Sequence, residues 1–74
     1  MPFFHQDDRE MEVARIHGAE LHGSVTVLVG RDSENREIKV GCDWRMAEPV
    51  VGALRRGEKP EIEFAPYQVL WRSK

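Results

Sequence analysis

The chain has 74 residues, of which 41% are hydrophobic, and its 11 basic and 13 acidic residues give a net charge of −2. This length holds one small domain and leaves no room for a second, and the acidic balance argues against a protein dedicated to nucleic acid. No apolar run approaches the roughly 20 residues that cross a bilayer, and the start of the chain lacks the pattern of a secretion signal. We therefore expect a cytoplasmic protein that makes no use of a membrane.

Residues 1–10 are predicted to form a partly ordered N-terminal segment, and residues 11–74 a single small domain. The segment joins Phe3 and Phe4 to a polar stretch, a composition typical of loosely held termini. Because two adjacent phenylalanines are costly to leave in water, we expect at least one of them to pack on the domain or on a neighbouring copy.

Residues 11–17 form the first predicted strand, although their pattern also suits a helix. Val13 and Ile16 are three residues apart, which is the spacing of one helical face. The β-branched residues and the following Gly18 favour instead a strand that ends in a turn. We prefer the strand, because residues 20–31 can then pair with it as a meander.

The second predicted strand, residues 20–31, and the third, residues 36–43, show the clearest pattern in the chain. Apolar side chains alternate along both, which is the period of a strand with one buried face. The buried set is predicted to be Val25, Val27, Val29, Ile38, Val40 and Cys42. Leu28 then falls on the opposite face, and Gly23 marks a bulge or bend. The polar connection 32–35 predicts a four-residue loop around a type I turn.

A helix is predicted after the third strand. Its apolar stripe, at spacings of three, four and three, consists of Trp44, Ala47, Val51 and Leu54. Pro49 is unfavourable inside a helix, which leaves two solutions. Either a short turn precedes a helix that begins with Pro49, or Asp43 caps a single helix that contains it; we prefer the first. Gly57 is predicted to lie just past the helix end.

Residues 61–71 form the last predicted strand. Two apolar sets alternate along it, out of phase by one residue: Ile62 with Phe64, and Tyr67 with Val69 and Trp71. A bulge or break at Pro66 keeps both sets on the core face. Because proline cannot donate a ladder hydrogen bond, we expect a sheet edge here, with Glu61 and Glu63 guarding its first half. The alternative is a central strand with Pro66 in a local bulge.

These elements predict an α+β fold of β-β-β-α-β order. Its small, mostly antiparallel sheet carries one short helix packed on one face, through Val51 and Leu54. Leu28 and Leu70 fall on the faces opposite the valine and aromatic stripes of their strands, which leaves more apolar surface than one short helix covers.

The residue pattern indicates no catalytic chemistry. The candidate zinc ligands lack the close pair spacing of zinc sites: His5, His17, His22 and Cys42. The six glycines are scattered and form no phosphate-binding loop. Cys42 alternates in phase with apolar residues, so we interpret it as a buried thiol. We predict no catalytic residue, no metal and no cofactor, and a protein that is not an enzyme.

Protein–protein interaction is the predicted function. An uncovered apolar sheet face usually meets another subunit, so we expect a homo-oligomer, a dimer in its simplest form, or an unknown protein partner. The residues predicted to bind the partner are Leu28, Tyr67 and Leu70. The chain is thus interpreted as a small non-catalytic adaptor or accessory module that self-associates.

The alternative function is a nucleic-acid-binding accessory protein. Residues 36–74 carry eight basic and six acidic residues, against three and seven in residues 1–35. The candidate contacts are Arg45, Arg55, Arg56, Lys59 and Arg72. Tyr67 and Trp71 could stack on bases, but they share a face with Val69, which favours core packing for both.

Overall fold

The fold of residues 11–74 is described by a computed structural model. The elements in chain order are β1 (Glu12–His22), β2 (Val25–Asp32), β3 (Glu37–Asp43), α1 (Trp44–Arg55), β4 (Glu61–Phe64), a 3₁₀ turn (Pro66–Gln68) and β5 (Val69–Arg72). The five strands form one sheet in the order β4-β1-β2-β3-β5, and every neighbouring pair is antiparallel. The predicted packing of Phe3 and Phe4 lies outside the described residues.

This arrangement confirms the predicted fold class, an α+β fold with a helix packed on one face of an antiparallel sheet. The strand predicted over residues 61–71 is divided by the 3₁₀ turn into β4 and β5. The two halves lie at opposite edges of the sheet, since β4 pairs with β1 and β5 pairs with β3. The break falls at Pro66, where the out-of-phase apolar sets predicted it.

Gly18 and Gly23 have exchanged the roles predicted for them. The β1–β2 connection is the two-residue turn Gly23–Ser24, between the paired residues His22 and Val25. Gly23 has φ +65 and Ser24 has no positive φ, the pattern of a type II′ hairpin turn. The bulge lies instead between Ile16 and Gly18. β1 is therefore longer than predicted, because the chain continues through Gly18 without turning.

The face of β2 that packs against the helix is the opposite of the predicted one. Leu28 is 1% exposed and lies in the core, whereas Val25 is 43% exposed. Leu28 is paired with Val40 on β3, and both belong to the buried cluster beneath α1. The prediction that Leu28 lies on an exposed, partner-binding face is therefore wrong, because Leu28 lies on the face that α1 covers. β2 is apolar on both faces, so alternation alone could not tell which one the helix covers.

The core lies between the sheet and α1. Its buried cluster consists of Ala14, Ile16, Leu28, Ile38, Val40, Ala47 and Phe64. Val50, Leu54, Ile62 and Val69 pack against it from partly buried positions. Of the residues predicted for the core face, Val25 and Trp71 are exposed. α1 contacts β1, β2 and β3, which places it over the middle of the sheet.

The helix is a single segment, so the alternative capped by Asp43 is correct. The Asp43 carboxylate accepts a 2.8 Å hydrogen bond from the backbone N–H of Arg45. Pro49 lies inside the helix, at an exposed position where water can reach the backbone carbonyl that loses its partner. Gly57 lies just past the helix end as predicted, with φ +85, and its N–H donates a hydrogen bond to the Leu54 carbonyl.

The sheet is strongly curled. In a flat sheet, the four spacings between β4 and β5 would separate these edges by about 19 Å. The five Cα–Cα steps from Phe64 to Val69 reach about 19 Å only when fully stretched, and a 3₁₀ turn shortens them. The short connection therefore requires curling, which also brings Glu12 of β1 into contact with Arg72 of β5.

Candidate interaction surface

The sheet face opposite α1, here called the open face, carries an apolar strip. The strand register places Val25, Val27 and Val29 of β2 on this face, with Leu70 and Trp71 beside them on β5. Val27 and Val29 are buried although no described helix covers them. Among the described residues, the side chains placed to cover them are those of the flanking strands.

An ion pair covers the centre of this strip. Glu20 of β1 is paired in register with Val27, and Lys39 of β3 is paired with Val29. Lys39 Nζ lies 3.7 Å from Glu20 Oε2, so the two side chains meet across the strand between them. The aliphatic part of the lysine can thereby shield the valines while its charge stays in water.

Glu20 is held in its ionised form by its neighbours. His22 Nε2 lies 3.0 Å from Glu20 Oε1, and this hydrogen bond, followed by the positive charge of Lys39, lowers the pKa of the Glu20 carboxyl. The pair is exposed and contributes little to stability by itself. The pair matters for where the side chains lie. It holds the Lys39 side chain over β2, away from the neighbouring β5.

Leu70 and Trp71 form the exposed end of the strip. Leu70 packs over Gly41 of β3, where its methyl carbon lies 3.3 Å from the position that a Cβ of residue 41 would occupy. Trp71 is paired with Lys39. A register shift between Lys39 and Val40 makes Leu70 an extra residue, so that it and Trp71 share the open face. Leu70 is 60% exposed and Trp71 is 47% exposed.

The two sheet edges differ in their charged side chains. On β4, Glu61 and Glu63 project on the open face, and Glu61 forms a 3.3 Å ion pair with Arg15. On β5 the one charged residue is Arg72, which turns to the core face. Edge strands are commonly protected from pairing with another chain by outward charges. β4 has this protection on the open face and β5 lacks it.

Arg72 is held by a partly buried ionic network. Its Nη2 donates a 2.8 Å hydrogen bond to Glu12 Oε1, and its Nε is buried 3.5 Å from Asp32 Oδ2 without a hydrogen bond. Asp32 also accepts hydrogen bonds from the backbone N–H groups of Glu34 and Arg36 and from Arg36 Nε. The network ties β5 to β1 and to the β2–β3 loop.

The residues predicted to bind a partner are not brought together as a set. Leu28 is in the core, Leu70 is on the open face, and Tyr67 is largely exposed on the 3₁₀ turn that precedes β5. Trp71 was missed, because we expected it in the core. The bulge at Leu70 reverses its face, and nothing in the sequence of β5 marks that bulge.

The basic residues of the nucleic-acid alternative are placed in different environments. Arg72 is in the ionic network and Arg56 donates a 3.0 Å hydrogen bond to Glu58. Arg45 lies over the ring of Trp44, 5.6 Å from its centroid. No ion pair between described residues includes Arg45, Arg55 or Lys59.

The possible metal-binding groups of the described residues are dispersed. Within residues 11–74, no three His, Cys, Asp or Glu side chains form a group able to hold a metal ion. Cys42 is half-buried, and burial raises the pKa of its thiol, which disfavours the reactive thiolate. The part of the chain that the structure describes contains no helix with the length and apolar character needed to span a membrane.

No family model matches the chain, and neither a curated protein nor a solved structure shows significant similarity to it.

Proposed function

We propose that this protein is a small non-catalytic interaction module that self-associates through the β5 edge and the adjoining end of the open face. The observation that carries the proposal is the combination of Leu70 and Trp71. Both are exposed apolar side chains on an edge strand, with no outward charge beside them on that strand. An edge of this kind is a template for a further strand.

The simplest assembly is a two-fold dimer. β5 of one copy would pair antiparallel with β5 of a second copy, since a two-fold axis brings the same surface of each subunit together. The Leu70 and Trp71 side chains of both copies would then adjoin on one continuous face. Burial of these four side chains contributes at most about 12 kcal/mol. Association costs about 4–15 kcal/mol, so we expect a dissociation constant in the micromolar range or weaker.

Sedimentation equilibrium between about 5 and 500 μM protein tests this proposal around the micromolar affinity expected for such an interface. The variant Leu70→Lys is expected to sediment as a monomer over this range, because it places a charge in the dimer contact. The matched control is Met46→Lys, which changes a side chain that is 68% exposed on α1. The control should dimerise as the wild type does.

Two results would contradict the proposal. One is a wild-type protein that stays monomeric throughout the concentration range. The other is an equal loss of association in the Leu70 and Met46 variants, which would locate the contact elsewhere. Circular dichroism of each variant establishes that its fold is retained before the comparison is made.

The proposal includes a cytoplasmic location and leaves open a second protein as a partner in place of a second copy. The nucleic-acid alternative has weaker support, because Arg72 and Arg56 are engaged with carboxylates. It requires binding to RNA or DNA that weakens steeply with salt. Replacing Arg55 and Arg56 by Glu should abolish such binding, and a nucleic-acid titration that shows neither effect rejects the alternative.

A further inference from the structure

A groove of about 500 Å³ lies at the end of the sheet where the β2–β3 loop meets the start of β4. Its charged and apolar lining includes Val13, Arg15, His17, Arg31, Lys59 and Glu61. The volume falls within the range of small-molecule sites, about 300–1,000 Å³. The groove is separate from the proposed β5 contact, which lies at the other edge of the sheet.

Two arginines face each other in this groove. Arg15 of β1 and Arg31 of β2 are paired directly in register, and like charges in that position destabilise a sheet. Glu61 relieves Arg15 through a 3.3 Å ion pair from the next strand. The residue opposite Arg31 on its other side is Glu37, but no ion pair forms between them.

The Arg31 guanidinium is held toward the loop that forms one wall of the groove. Its Nη1 donates a 3.0 Å hydrogen bond to the backbone carbonyl of Asn35. This contact uses one of the five N–H donors of the guanidinium and fixes its orientation. Four donors remain to bind a ligand, and a guanidinium fork suits the oxygens of a phosphate group.

The remaining charges of the groove favour an anion. Lys59 adds a third permanent cation, which forms no ion pair among the described residues. The Asp32 carboxylate, although in the lining, is inaccessible and accepts hydrogen bonds from Glu34 and Arg36. Among the described lining residues, three solvent-accessible cations therefore face the single accessible carboxylate of Glu61.

We propose that this groove binds a phosphorylated small molecule, of nucleotide size or smaller. Arg31 and Lys59 contact the phosphate group, Arg15 adds to the positive potential, and the hydroxyl of Ser33 with the side-chain amide of Asn35 offers neutral donors at the rim. The remaining volume accepts the organic part of the ligand against Val13. A bound anion would offset the repulsion between the two paired arginines.

The test is an NMR titration of the full chain at constant ionic strength with inorganic phosphate, adenosine monophosphate and adenosine. We expect the amides of residues 15–17 and 31–35 to shift with both phosphate-bearing compounds and to be unmoved by adenosine. Tighter binding of the monophosphate indicates a phosphorylated metabolite as the ligand, and equal binding indicates the free anion. Both results support a phosphate site in the groove, but equal binding would contradict the contact of the organic part with Val13.

Variants decide whether the shifts report this groove. Two substitutions, Arg31→Gln and Lys59→Gln, should each weaken binding about tenfold or more. Lys59 lies in a loop, so its replacement should have little consequence for the sheet. The matched control Arg55→Gln removes an exposed arginine from α1 and should change affinity less than twofold. Absence of shifts at 20 mM phosphate compound, binding by adenosine, or an equal loss in the Arg55 variant overturns the proposal.

Discussion

Arg72, in the last strand, donates a 2.8 Å hydrogen bond to Glu12, in the first strand. The two residues lie on strands that are three positions apart in the sheet, and only the curl of the sheet brings them together. The same guanidinium lies 3.5 Å from Asp32 on β2. The Arg72 side chain thus links β5 to β1 and β2 on the core face of the sheet, away from the open face.

The coupling between these two residues should be measurable. A double-mutant cycle of Glu12→Ala and Arg72→Ala is expected to give an interaction free energy of about 1 kcal/mol, since both side chains are partly buried. Arg72→Ala alone should cost more than Glu12→Ala, because it also removes one of the two cations beside Asp32, the other being Arg36. Urea unfolding measures all four proteins, and additive effects would show that the contact does not stabilise the fold.

Stability should fall in acid through Asp32. Burial opposes ionisation of this carboxyl, but two backbone N–H groups and Arg36 outweigh it and hold the pKa below its ordinary value of 3.8. Because the pKa is lowered in the folded state, the ionised carboxylate stabilises the protein at pH values above the ordinary pKa, and this stabilisation is lost as pH falls through the lowered pKa of the folded state. Asp32→Asn should cost about 1.5–3 kcal/mol at pH 7, and this cost should become smaller as pH falls.

Unfolding by urea at pH 7, 4 and 2 measures this dependence. Glu58→Gln is the control. Arg56 lowers the pKa of the Glu58 carboxyl as well, mainly through a hydrogen bond and also through its charge, but this pair is exposed to solvent. The control should retain the pH dependence of the wild type. An Asp32→Asn protein whose stability falls with pH as steeply as that of the wild type would assign the effect to other carboxylates.

Because Leu28 and Val25 lie on opposite faces of β2, substitutions at these two positions should have unequal effects on stability. Leu28→Ala should lower the free energy of unfolding by about 2–5 kcal/mol, because the side chain is buried beneath α1. Val25→Ala, on the open face, should cost less than about 1 kcal/mol at a concentration where the protein is monomeric. Thermal and urea unfolding provide the comparison, and equal costs would mean that the two faces are buried alike.

Gly30 and Gly18 form a matched pair of strand glycines. A Cβ on Gly30 would overlap the Arg15 carbonyl oxygen of the neighbouring strand, whereas a Cβ on Gly18 meets nothing within 4 Å. Gly30→Ala should therefore destabilise the fold by about 1–3 kcal/mol or more. Gly18→Ala should be neutral or stabilising by about 0.5–1 kcal/mol. A tolerated alanine at position 30 would show that β1 and β2 can separate there.

Amide hydrogen exchange should distinguish the two edges as protein concentration rises. The amides of β5 that do not bond to β3 should gain protection between 5 μM and 500 μM, spanning the affinity range expected for the dimer. The amides of β4 should not change, because Glu61 and Glu63 keep that edge from pairing. Strong protection across residues 68–70 in a protein shown to be monomeric would mean that β5 is already paired on both sides.

Local patterns determined much of this architecture. Alternation over residues 24–31 and 36–43 predicted the β2–β3 hairpin, and Gly57 predicted the end of the helix. These features depend on contacts between residues that are close in the chain, so side-chain type and spacing are sufficient. The phase change at Pro66 likewise predicted both the break and the edge position, because a proline cannot take part in a fully paired ladder.

The tertiary structure decided which faces and edges are used. β2 is apolar on both faces, and only the packing of α1 selected Leu28 for the core and left Val25 exposed. The bulge that turns Trp71 outward and the curl that joins Glu12 to Arg72 both depend on pairing between distant segments. The charged groove has the same origin, because Arg15 and Arg31 become neighbours only through the register of β1 with β2. No periodicity along one segment encodes its register against another.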